Sequence, residues 1–178
     1  MRKCPAMHIW PRALFVVAVA AAGCSPNHVA SSESQSMTAA RATAVDQSVR
    51  AFAQTVAHDV TQEGPSAWRR HFADSPEFFM ASEGRLVFPN SASATAAIRE
   101  LPRTIKQIDL RWGDDLRVDP LTPDLAVMAA SYHEVQVSPE GRRLEEAGFF
   151  TGIAEHRDGR WQFRNAHWSV AVPAPPAP

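Results

Sequence analysis

The stretch Gly148 to Val172, GFFTGIAEHRDGRWQFRNAHWSVAV, constrains this chain more than any other. It reads as two long strands joined by Asp158-Gly159. Both central residues of a tight hairpin turn of this kind need positive φ, which Asp-Gly accepts. Closure there predicts the pairs His156 with Trp161, Ala154 with Phe163, Gly152 with Asn165, Phe150 with His167, and Gly148 with Ser169. Side chains alternate across a strand, so those ten residues share one predicted face. The opposite face then carries Phe149, Thr151, Ile153, Glu155, Gln162, Arg164, Ala166 and Trp168. On the first face Asn165, His167 and Ser169 lie beside two glycines and a phenylalanine. Glycine leaves empty volume, so this end reads either as a pocket wall or as a place where a curved sheet bends.

The rest of the chain supplies helices to cover such a sheet. Val45, Val49, Phe52, Val56 and Val60 recur at spacings of three and four, which predicts a helix from Val45 to Gln62. Gly64-Pro65 stops it, and Ser66 is placed to cap a second helix from Ala67 to Ala73. His58 and His71 read as exposed or edge residues of these helices. Phe78–Ala81 and Arg85–Phe88 form a small hairpin, followed by an alanine-rich helix from Ser91 that ends at Pro102. Alternation from Ile108 to Val118 predicts one half-buried antiparallel strand. Leu125–Val137 and Arg143–Arg157 are the next two. Helices first and strands after predict an α+β fold, with N-terminal helices packed on a strongly curved antiparallel sheet around a cone-shaped cavity.

Both ends look different. Three of the 18 basic residues, Arg2, Lys3 and Arg12, fall in the first 23 residues, which hold no acid. They precede an apolar run, Ala13 to Gly23, that is short for a membrane span. Residues 1–23 therefore read as an export signal. Ala21-Ala22-Gly23-Cys24 resembles the bacterial lipobox, in which the cysteine is lipidated and becomes the new N-terminus. Simple cleavage after the alanines is the alternative. Ser25 after the cysteine resembles the signal for sorting to the outer rather than the inner membrane. The expected location is thus the bacterial cell envelope, anchored on the periplasmic side. Residues 24–44 read as a flexible polar linker, 45–172 as the folded domain, and 173–178 as a Pro/Ala-rich tail.

After Gly23 the remaining 15 basic residues face 19 acidic ones, a balance of -4 without a basic stripe, which argues against nucleic acid. Cys4 and Cys24 both precede the domain, so no disulfide framework is expected. No phosphate loop, dinucleotide fingerprint or nucleophile elbow occurs, and no cofactor is assigned. Glu145, Glu146 and His133 have no compact ligand spacing, and no metal is assigned either.

The closing segment Asp158-Gly159-Arg160-Trp161-Gln162-Phe163-Arg164-Asn165-Ala166-His167-Trp168-Ser169, with the Ala126-Val127-Met128 and Gly148-Phe149-Phe150-Thr151 strands, resembles the nuclear transport factor 2-like superfamily in its SnoaL-like bacterial branch. The resemblance covers about Val45 to Val172. It implies that His167 and Ser169, with Trp161 and Phe163, point into the cone, and that the sheet's outer face forms a homodimer. Some relatives are isomerases, dehydratases or cyclases, and others only bind. One scaffold hosts many functions, so the fold leaves activity open.

His167, Glu134 and Tyr132 are the catalytic candidates. His167 could move a proton near neutral pH, or make one structural hydrogen bond. Tyr132 and Glu134 share a strand face opposite His133. Inward, Glu134 is a base tuned by burial. Outward, it is a salt-bridged surface acid. Which face turns inward is left open. Trp68, Phe72, Trp112, Phe150, Trp161, Phe163, Asn165, His167 and Ser169 are the expected ligand-binding set, although such aromatics also build ordinary cores. Phe149 and Trp168 are expected together on the outer face as interface residues. The combined expectation is an envelope protein that binds a small apolar molecule or a protein partner without catalysis. The alternative is a cofactor-independent proton-transfer enzyme using His167 or Glu134.

Overall fold

The structure, a computed structural model, describes residues 37–170. The expected signal, the lipidation candidate Cys24, most of the linker and the tail lie outside the described residues.

Helix α1 spans Ala39–Glu63, starting six residues before the expected Val45. Thr38 caps it by accepting from the Arg41 amide at 3.2 Å. The run Ala39 to Ala44 is mostly exposed. It therefore shows no apolar period, and its alanines extend the helix by propensity alone. Val45, Val49, Phe52, Ala53, Val56 and Val60 form the buried face. Gly64, at φ 81°, ends the helix with its amide on the Val60 carbonyl. A 3-10 turn over Pro65–Ala67 leads into the single turn α2, Trp68–His71, shorter than expected. Ser66 lies inside that turn, and no side chain caps α2. Helix α3, Ser91–Glu100, begins on a reciprocal Asn90–Ser93 cap.

Seven strands form one sheet among the described residues. They are β1 (Phe79–Ser82), β2 (Arg85–Phe88), β3 (Gln107–Trp112), β4 (Arg117–Thr122), β5 (Leu125–Val137), β6 (Arg143–Arg157) and β7 (Arg160–Val170). Their order is β2-β1-β7-β6-β5-β3, with β4 also on β5. The expected single strand from Ile108 to Val118 is two. Asp115 Oδ1 accepts from Ser131 N at 2.9 Å and Ser131 Oγ at 2.7 Å, and this side-chain anchor interrupts the backbone ladder between β3 and β4. The sheet is mixed rather than wholly antiparallel, because β1 runs parallel to β7. Helix α1 lies across β3 and β4 and closes the concave side. The core there is built on Phe150, Phe163, Met128, Ile108 and the α1 valines. This is the α+β cone that the element order predicts.

The Asp158-Gly159 turn has φ values of 52° and 77°, and the first two expected pairs, His156–Trp161 and Ala154–Phe163, are present. Beyond them the register shifts. Ile153 pairs with Asn165, Gly152 with Ala166, Thr151 with His167 and Phe150 with Trp168. Arg164 is the extra residue, unmatched on β6, and makes a β-bulge. Asn165 Oδ1 accepts from the Ile153 amide at 3.1 Å and pins it. An extra residue inverts every side chain after it.

Candidate functional site

That inversion corrects the expected site. Asn165, His167 and Ser169 turn to the outer face, where His167 is exposed and Ser169 donates to the Phe149 carbonyl at 3.0 Å. Ala166 and Trp168 turn inward instead. Trp168 is therefore not a partner of Phe149 on an outer patch. Phe149 is exposed there, at 42%, and shares the outer face with exposed Phe79 of β1.

A cavity of about 210 Å³ opens at the wide end of the cone. Its buried floor is Trp68, Phe72, Ile98, Ile108, Tyr132 and Glu134. Half-buried residues rim it, among them Met80, Ser82, Phe88, Gln136, Glu146 and Trp168. Each is placed by a specific element. β5 turns Tyr132, Glu134 and Gln136 inward by alternation, which resolves the face left open by the sequence. β6 sets Glu146 directly across from Glu134. β1 follows β7 in parallel, so Ser82 stands beside Trp168. His133 takes the outer face, 2.7 Å from Glu145.

Trp168 is the hub of the aromatic wall. It stacks on Trp112 at 5.7 Å and meets Trp68, Tyr132 and Phe150 edge-on, at 5.6, 4.7 and 4.7 Å between centroids. Gly148 leaves room for the Tyr132 ring, because a Cβ there would lie 2.9 Å from Tyr132 Cε1. The phenol then reaches the next inward residue of β6 and donates to Glu146 Oε1 at 2.6 Å. Burial and that bond hold the Tyr132 hydroxyl well above the usual phenol range, so it stays protonated. Glu134 is 8% exposed. Burial pushes its carboxyl up, the Glu146 charge adds to this, and the bond from Gln136 Nε2 at 2.6 Å offsets part of it.

Of the expected ligand-binding set, Trp68 and Phe72 line this cavity. Trp112 and Phe150 support it from behind through Trp168. Phe163 is wholly buried in the core. Trp161 stands at the hairpin end of the cone, against His156, on separate surface grooves. Of the catalytic candidates, Glu134 and Tyr132 line the cavity and His167 does not.

No family model matches the chain, and no curated protein does either. Solved structures do. A protein of Novosphingobium aromaticivorans named for scytalone dehydratase superposes with a TM-score of 0.65 at 7% identity, covering 76% of this chain and 89% of its own. A nuclear transport factor 2-like superfamily protein from Salmonella enterica serovar Typhimurium gives 0.57 at 12% identity, over 78% and 94%. The fold is nuclear transport factor 2-like. A hexachlorocyclohexane dehydrochlorinase is similar at 0.57 and 14% identity, over 79% and 98%. At such identities the likeness concerns the fold alone.

The NTF2-like domain holds a second ionisable cluster where α2 meets α1, beside the core residue Phe52. His71 is buried, not exposed, with Nε2 3.1 Å from Asp59 Oδ2 but off the hydrogen-bonding direction. Burial keeps the imidazole pKa low despite the nearby acid, so at neutral pH this is a close approach rather than an ion pair. Arg70 bridges Asp59 and Glu63, and the cluster reads as the clamp that holds α2 to α1. Among the described residues no group of three or more His, Cys, Asp or Glu is arranged to hold a metal ion.

Proposed function

We propose that the NTF2-like domain binds one small apolar, ring-bearing molecule in the cone. The observation that carries this reading is the 210 Å³ opening walled by Trp68, Phe72 and Trp168 with Tyr132, Glu134 and Glu146 on one side. Concave, mostly apolar sites with a few convergent polar groups are the usual form of a small-molecule site. The test is mass spectrometry of small molecules that copurify with the protein and with Ser82→Phe, which fills the rim. A defined compound retained by the native protein and lost from the variant is expected. The same compounds in both preparations would overturn the assignment of this cavity.

A second reading, proton-transfer catalysis, is favoured by Glu134. A buried carboxyl with a raised pKa, facing an open cavity, is poised to exchange a proton with a bound carbon acid. The dehydratase and dehydrochlorinase names among the similar structures denote eliminations, which need such a group. His167 has no part in this reading, since it stands on the opposite face. Its test is deuterium uptake from D2O into the copurified compound, by native protein and not by Glu134→Gln.

The setting of the domain is also a proposal. The signal-like residues 1–23 and Cys24 support export and lipid anchoring on the periplasmic side of a bacterial envelope. Exposed Phe149, on the same face as the half-buried cross-strand pair Val127–Ile153, supports a homodimer through the outer sheet face.

A further inference from the structure

The acidic and basic side chains that line the cavity are all of one sign. Its lining holds two carboxyl side chains, Glu134 and Glu146, and no lysine, arginine or histidine. The two acids are direct cross-strand neighbours on β5 and β6. Like charges placed so normally destabilise a sheet. Glu146 takes one hydrogen bond from Tyr132, and Glu134 takes one from Gln136. Both donors are neutral. The charges that act most strongly on the Tyr132 hydroxyl are Glu146, Glu134 and Glu83, all acids. The nearest basic partner of Glu83 is exposed Arg85, at 3.9 Å.

The remaining wall is aromatic. Trp68, Phe72, Phe88, Tyr132 and Trp168 all border the opening. A cation over an aromatic face is attracted by the ring quadrupole, and more strongly once water is excluded. Aromatic faces and uncompensated carboxyls thus favour the same ligand charge. Size limits it further. A dry cavity of about 150 Å³ holds benzene, so 210 Å³ holds one ring with a short chain.

We infer that the cavity takes a monocyclic organic ammonium, its ring against Trp68 and Trp168 and its charged nitrogen between Glu134 and Glu146. This deepens the proposed binding function and rests on it. The ammonium supplies the positive charge that the paired acids lack. It also offsets the burial cost of ionising Glu134.

The experiment compares 2-phenylethylammonium, 2-phenylethanol and phenylacetate by calorimetric titration at neutral pH. These probes share a ring and differ in charge. The ammonium should bind about tenfold more tightly than the alcohol, and phenylacetate should bind most weakly. Glu134→Gln and Glu146→Gln should each cut the preference for the ammonium over the alcohol to within about threefold. Two variants are used so that misfolding of one, seen by circular dichroism, leaves the other as the test. Equal binding of alcohol and ammonium to the native protein would overturn the charge assignment and leave the apolar cavity standing. Binding of none of the three probes would overturn both.

Discussion

The indole of Trp168 stands edge-on to the phenol of Tyr132, with centroids 4.7 Å apart and planes at 86°. The contact exists only because Arg164 bulges out of β7 and turns Trp168 inward. Trp168→Ala should therefore cost about 3–5 kcal/mol, and the adjacent His167→Ala should change stability by no more than about 0.5 kcal/mol. Denaturant unfolding of the two variants measures the contrast. Equal losses would contradict the inverted register.

Gly148 is where the Tyr132 ring meets β6. A Cβ there collides with the Ser169 carbonyl oxygen and crowds Tyr132 Cε1. Gly148→Ala should destabilise the domain by about 1–3 kcal/mol and shift the Tyr132 ring off Glu146. Thermal unfolding and ultraviolet titration of the tyrosine read these effects. Tyr132 is the only tyrosine in the chain, so the optical signal has one source. Loss of the Glu146 bond should lower the pH at which the phenol ionises, since that bond raises it.

Glu134 is buried and its carboxyl pKa is raised in the folded state. Between the ordinary glutamate value and the raised one, the native protein holds a proton that the unfolded chain has released. Stability accordingly falls as pH rises through that window and levels off above it. Glu134→Gln removes this slope. The variant should gain stability over the native protein above the window and show no such gain below pH 4, as followed by melting temperature against pH. The same melting-temperature difference between the two proteins at every pH would contradict the burial of Glu134.

Phe149 is an exposed aromatic of the outer face. Phe149→Glu places a charge there without touching the core, so monomer stability should change little. Sedimentation should report half the native mass. An unchanged mass would remove the outer face as the dimer contact.

Cys24→Ser tests the anchor. The variant should appear in the soluble fraction of cells whose native protein pellets with membranes. Continued membrane association would count against lipidation at this position.

Most of the architecture was legible because it rests on short-range signals. The valine spacing of α1 and the Asp158-Gly159 turn are local, and β5 and β6 run as read, from Leu125 to Val137 and from Arg143 to Arg157. The site was misread from a single residue. Strict alternation through Arg164 sends His167 inward, yet the apolar positions of β7 themselves change phase. Trp161 and Phe163 are odd-numbered, and Ala166 and Trp168 even. That change of parity, set against the unbroken Phe150, Gly152, Ala154 series of β6, is the signal of a bulge. The Glu134–Glu146 pairing depends on the Ser138–Gly141 turn, whose length sets the register of two strands from afar. The early start of α1 left no apolar signature, because its first turn faces solvent.

Arg164 also has a genetic meaning. Strand β7 can be read in two phases, and one codon separates them. Loss of that codon would exchange an indole-lined interior for one bearing an imidazole, an amide and a hydroxyl, with no other letter altered. A scaffold of this kind can change the chemistry of its chamber by a single insertion or deletion, a step that residue-by-residue substitution would need several simultaneous changes to match.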